Sequence, residues 1–92
     1  MIHSFVCLET EALFNSRVVP RFRNIERVAR RKLLQLNATI ELAGLRIPPG
    51  NKLEVLKGDR KGQHSIRIND QWRVCFVWRG DGAYQVEIVD YH

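Results

Sequence analysis

Cysteine is scarce in this chain: Cys7 and Cys75 are the only two among 92 residues. They form no CxxC motif and no Cys/His cluster, so neither a disulfide framework nor a thiolate metal site is expected, and both read as small buried apolar residues. Histidine is as thin, and His3, His64 and His92 show no ligand spacing, so no metal and no cofactor is expected. No apolar run is long enough to span a bilayer. The opening MIHSFVCLETEALF has no basic leader ahead of an uninterrupted apolar stretch, which argues against a secretory signal and leaves the cytoplasm as the expected compartment. Repeats and low-complexity tracts are missing, and Pro and Gly cluster only at Pro48-Pro49-Gly50.

Acidic residues are a minority, 10 against 15 Lys and Arg, for a formal net charge of +5. This balance suits a polyanionic partner, although an acidic protein would also fit it. The hydrophobic fraction of 45% and the charged fraction of 27% are those of an ordinary globular protein, and the length fits one domain over residues 1–92. Seven basic residues crowd one stretch, Arg17, Arg21, Arg23, Arg27, Arg30, Arg31 and Lys32, with Glu26 the only acid among them. A second set, Lys52, Lys57, Arg60, Lys61, Arg67 and Arg73, follows the Pro-Pro-Gly joint. Each set reads either as a solvated face or as a surface for nucleic acid.

Periodicity divides the chain at that joint. Ile25, Val28, Ala29, Leu33, Leu36 and Ile40 recur at helical spacing, which predicts a helix with a core face and a basic face. Thr10 is the expected N-cap of a shorter preceding helix, and Thr39 that of a further turn or two reaching Leu45. Beyond the joint, strands are predicted over 52–57, 65–68, 72–78 and 84–89, with residues 2–6 as a possible edge strand and Gly80-Asp81-Gly82 as a hairpin turn. Trp72, Val74, Phe76 and Trp78 alternate with Arg73, Cys75 and Val77, so the aromatic side faces the helices and Arg73 faces away.

Parity carries this further. Placing Ile66 and Ile68 on the same face as Trp72 requires a three-residue loop at Asn69-Asp70-Gln71, which makes Arg67 and Arg73 cross-strand neighbours. The same parity puts Val86 and Ile88 in the core and Val89 and Tyr91 on the arginine side. Adjacent arginines repel unless an anion lies between them, which points to a phosphate site; the alternative is that one of them pairs with Glu87 or Asp90.

Metal-free RNA cleavage needs a base for the 2′-hydroxyl, cations for the charge growing on phosphorus, and a proton for the departing 5′-oxygen. Arg67, Arg73 and Lys57 suit the second task, and His92 with Tyr91 beside it suits proton transfer and base stacking. The stretch KLEVLKGDRKGQHSIRINDQWRVCFVW, the GDG turn and the ending VEIVDYH resemble the HigB (plasmid-maintenance killer protein) group of the RelE/ParE toxin superfamily. LKGDRKG, INDQWRVCF and the terminal DYH are the most specific pieces.

The resemblance implies an α+β fold of the RelE-like microbial RNase type, with a curved, mainly antiparallel sheet backed by N-terminal helices. It implies a ribosome-dependent endoribonuclease that cuts mRNA in the ribosomal A site and leaves a cyclic phosphate. By position it implies catalytic roles for Lys57, Arg73, Asp90, Tyr91 and His92, with Arg67 a softer match. Arg21, Arg23, Arg27, Arg30, Arg31, Lys52, Arg60, Lys61 and His64 are expected to meet mRNA or ribosomal RNA. A HigA-like helix-turn-helix antitoxin is the implied partner. One departure stands out: relatives with HPLKG carry a histidine where this chain has Glu54, which reads as a carboxylate base or as a surface residue paired with Lys52 or a nearby lysine. Gyrase poisoning of the ParE kind and RNA binding without cleavage are the alternatives.

Overall fold

Residues 26–38 contain no Gly or Pro and are rich in Arg, Leu, Ala, Lys and Gln, good helix formers all. In a computed structural model, which describes residues 1–91, they form the longer helix α2 (Glu26–Ala38), entered through a 3₁₀ segment at Pro20–Ile25 and preceded by α1 (Leu8–Phe14). Ile25, Ala29, Leu33 and Leu36 line the buried face as the periodicity predicts. Ile40 does not join them; it is 71% exposed because α2 has already ended, with Thr39 Oγ1 donating to Gln35 O at 2.8 Å. Thr39 therefore closes a helix where it was expected to open one, and Leu42–Arg46 is a separate 3₁₀ turn. Thr10 is not an N-cap either. It is buried inside α1, and its Oγ1 accepts the Ile88 amide at 3.0 Å, tying α1 to the sheet.

Four antiparallel strands lie in the order β1 (Glu54–Val55), β2 (His64–Arg67), β3 (Trp72–Arg79), β4 (Gly82–Asp90). The strand expected over 52–57 keeps only two residues, because Lys52 takes a left-handed backbone and the 3₁₀ turn Gly58–Arg60 follows at once. Residues 2–6 form no strand of their own; Ile2 and Phe5 make isolated parallel bridges to Ala83 and Val86 along β4. The helices cover one sheet face, where Phe22, Leu13, Leu33, Leu36, Ile66, Val74, Phe76, Val86 and Ile88 make the core. Phe22 of the Pro20–Ile25 segment meets Trp72 edge-on, with ring centroids 5.6 Å apart.

The β2–β3 connection follows the parity argument. Arg67 pairs with Arg73, the Ile68 amide donates to Trp72 O at 2.9 Å, and Asn69 Oδ1 accepts the amides of Gln71 and Trp72. The β3–β4 connection reaches the expected outcome by another route. Its turn has two residues, Gly80-Asp81, with Arg79 opposite Gly82, which taken alone would turn Val86 and Ile88 outward. A bulge at Gln85, whose φ is 55°, adds one residue to β4 and restores both to the core. The Gln85 amide donates to Ser4 Oγ at 2.8 Å. Gly82 is required nearby, since a Cβ there would collide with the His3 ring and the Met1 carbonyl. Among the described residues no helix is long and apolar enough to cross a membrane.

Candidate functional site on the arginine face

The sheet face turned away from the helices carries Ser65 and Arg67 from β2, Arg73 and Cys75 from β3, and Glu87 and Val89 from β4 in neighbouring rows. Arg73 is only 7% exposed. Its Nε donates to Ser65 Oγ at 2.7 Å, and its Nη2 donates to Lys52 O at 2.6 Å and Ser65 O at 3.3 Å. A guanidinium has five N–H groups, so among the described residues the two on Nη1 remain, with Glu54 Oε1 at 3.7 Å, an ion pair beyond hydrogen-bond reach. Arg67 pairs with Asp70 three residues on. That hydrogen bond and the Arg67 charge hold the Asp70 carboxyl below its usual range.

Internal acids thus relieve the repulsion between the two arginines, but they are not the pair expected from sequence. Glu87 instead takes Arg60 at 3.2 Å, and Gln71 Nε2 donates to Asp90 Oδ2 at 3.0 Å. Glu54 is not paired with Lys52 or another lysine: its partner is Arg73. Glu54 is thus the half-exposed carboxylate beside the most enclosed arginine, a partner that the sequence reading did not name for it. Its place in EVLKG, three residues ahead of Lys57, was the available signal.

Arg60 Nη1 reaches both Gln63 and Glu87, so the turn after β1 is tied to β4 beside the fully buried Cys75, the cross-strand neighbour of Glu87. Burial pushes the Cys75 thiol above its ordinary pKa. Lys57 opens this turn and, like Lys61, is exposed. At the other end of the face the Tyr91 amide donates to Gln71 O at 2.6 Å, extending the β3–β4 ladder and leaving a side chain 40% exposed on the arginine side. Lys52 contributes its carbonyl to Arg73, and its own side chain is exposed. The catalytic role expected for His92 lies outside the described residues.

His64 makes no hydrogen bond to either arginine among the described residues. Alternation points it to the helix side, where it stacks on Phe76 and, with Leu42, Arg46, Leu53, Val55 and also Glu54, lines a cavity of about 340 Å³. Its Nδ1 is buried without a hydrogen-bond partner among the described residues, and burial lowers its pKa from the ordinary 6.5. A group with a depressed folded pKa contributes its stability fully above the unfolded pKa and loses it as pH falls through the folded one. The melting temperature is therefore expected to fall as pH drops below 6.5, and to fall less in His64→Phe; parallel profiles for the two proteins would refute this.

The basic stretch on the helices divides in two. Arg21 pairs with Glu9 at 2.9 Å and lies over the Phe22 and Trp72 rings; Arg30 donates to Leu13 O, Arg17 O and Glu26. Lys32 is buried and donates to Asn51 Oδ1. These three hold the fold together. Arg23, Arg27 and Arg31, at steps of four, together with Arg17, are exposed and make no side-chain bond among the described residues.

Residues 15–92 match the family of HigB-like toxins, described as RelE-like toxins of type II toxin-antitoxin systems. Toxin HigB-1 of Vibrio cholerae is 47% identical over 62 residues, 67% of this chain and 63% of that protein. Endoribonuclease HigB of Proteus vulgaris is 44% identical over 41 residues, 45% of each chain. The chain therefore spans less than two thirds of the length of these relatives. Among solved structures, a chain of the YoeB-YefM complex from Staphylococcus aureus superposes with all of this one at a TM-score of 0.62 and 21% identity, a likeness of fold that agrees with the expected RelE-like architecture. With the family match covering the sheet, the long helix and the whole arginine face, the chain belongs to the HigB-like family of RelE-like toxins.

Proposed function

We propose that this chain is a ribosome-dependent endoribonuclease that cleaves mRNA in the ribosomal A site and arrests growth until an antitoxin binds it. The observation that carries this reading is the state of Arg73: a nearly buried guanidinium with three N–H groups committed to the fold and, among the described residues, two left over, beside a loosely held carboxylate. A phosphate oxygen is the ligand such a group takes best, and its cross-strand neighbour Arg67 and the exposed Lys57 would add charge. Glu54 can take the 2′-hydroxyl proton as the oxygen attacks phosphorus. The P–O5′ bond then breaks, the 5′-oxygen receives a proton, and a 2′,3′-cyclic phosphate remains. His92 is the donor suited to that proton by its intrinsic pKa, Tyr91 offers a ring for a base to stack on, and Asp90 keeps Gln71 in place beside it.

Arg17, Arg23, Arg27 and Arg31 would dock on ribosomal RNA through sequence-independent attraction to phosphates. Their exposure supports this, whereas Arg21 and Arg30 are occupied within the fold. The protein partner of the reading is a HigA-like antitoxin and the compartment is the cytoplasm. Mapping transcript 5′ ends after induction tests the activity: cuts within codons of translated messages are expected, whereas intact messages with a DNA-damage response would indicate gyrase poisoning instead. Ribosome binding should weaken steeply with salt, and the double change Arg27→Glu, Arg31→Glu should flatten the logarithmic slope by about one to two units at roughly 0.7–0.9 per lost phosphate contact. An unchanged slope would remove the helix from the docking surface.

A further inference from the structure

Arg73 is gripped from the Pro49–Asn51 turn, and that turn is anchored to α2. Lys32, only 9% exposed, donates from Nζ to Asn51 Oδ1. Asn51 is fully buried, and its Nδ2 reaches Gln35 Oε1 at 3.1 Å, Leu45 O at 3.1 Å and Ile47 O at 3.3 Å. One amide thus ties the turn to the long helix and to the segment that follows it. The next residue, Lys52, is left-handed at φ 45°, ψ 59°, a conformation that a side chain with a Cβ adopts only when its surroundings impose it. Its amide bonds Pro49 O at 3.1 Å, and its carbonyl receives Arg73 Nη2 at 2.6 Å.

The Lys32 ammonium makes this arrangement conspicuous. No carboxylate pairs with it among the described residues, and burial, then Arg31 and Arg67, lower its pKa. An apolar side chain of similar length would avoid the desolvation penalty altogether. What the ammonium supplies, and an apolar group would not, is a fixed orientation for Asn51.

We propose that Asn51, clamped by Lys32, is a positioning residue for Arg73: it sets the Lys52 carbonyl where the guanidinium docks, which leaves both Nη1 N–H groups facing the site. The inference rests on the reading of Arg73 as the group that contacts phosphate. A rigid support of this kind matters because displacement of a charge-stabilising group by about 1 Å can cost on the order of 100-fold in rate.

The test uses Asn51→Ser, which cannot reach the three acceptors, and Lys32→Met, which keeps the buried volume and serves if the first variant folds poorly. Two quantities are measured on each. In ribosome-dependent cleavage kcat is expected to fall about 10- to 100-fold while KM stays within about twofold. In nitrogen-15 spectra the Arg73 Nε–H resonance, assigned by its loss in Arg73→Lys, is expected to shift and to exchange faster with water as its bond to Ser65 Oγ loosens. A folded variant with an unmoved resonance overturns the proposal, as does one whose resonance moves while kcat stays at the wild-type value. If the wild-type chain cleaves no RNA, the nuclease reading falls by itself, and the resonance alone decides whether Asn51 positions Arg73.

Discussion

Arg73→Met is expected to lower RNA cleavage by about 100- to 1000-fold and to abolish growth arrest, the scale seen when one donor to a developing oxyanion is removed. The guanidinium does two jobs here. Its Nε and Nη2 cross-brace Ser65 and the Lys52 carbonyl, and only Nη1 is left for phosphate. Methionine fills the space but strands those acceptors, so about 1–3 kcal/mol of stability is expected to go as well. Arg73→Lys separates the two effects. It restores the charge with a single ammonium, which cannot bond both Ser65 and Lys52 and still face a phosphate bidentately. Its melting temperature is therefore expected to recover more than its activity. A folded Arg73→Met protein that cleaves at the wild-type rate would remove this residue from the reaction.

Phe22→Ala is expected to be the most damaging core change. The ring is fully buried where the Pro20–Ile25 segment closes over the sheet, edge-on to Trp72 and beneath the Arg21 guanidinium at 5.2 Å. Truncating a buried phenylalanine costs about 3–5 kcal/mol through lost transfer energy and the cavity left behind. A domain of this size commonly has about 5–15 kcal/mol in total. At about 4–8 °C per kcal/mol the melting temperature should fall by about 12–40 °C. Trp72 borders the arginine face through its neighbour Arg73, so activity near the growth temperature should fall too. Thermal melts followed by circular dichroism check the figure, and a loss below about 5 °C would mean that the core repacks around the missing ring.

Much of this was legible in the sequence because strand parity is a strict constraint. In an unbulged pair Ile66, Ile68 and Trp72 share a face across a three-residue loop and not across a two-residue turn, and that loop puts Arg67 beside Arg73. The same logic reached Val86 and Ile88, though through a turn one residue too long, because nothing in the letters of Gln85 announces a left-handed bulge. Helix ends were less readable. Thr10 and Thr39 are good cap residues by type, but one hydroxyl is claimed by the Ile88 amide and the other by Gln35 O, both decided by tertiary packing. Among the cations, spacing separated helix from core but not used charge from free charge. Lys32 belongs to the basic run in sequence and lies inside the protein, where Asn51 waits 19 residues away. Glu54 and Asp70 are the acids that the two arginines meet, and only the register of a two-residue strand and a tight Asx-type loop brings them there.

The bridge from Arg60 to Glu87 has one more use. It lies near a thiol that burial keeps protonated and out of reach of alkylating reagents. Labelling of Cys75 is therefore expected to be slow and to quicken when Arg60→Ala removes the bridge, so its rate would report local opening of the turn that Lys57 begins. Partly exposed Cys7 supplies the fast reference on the same molecule.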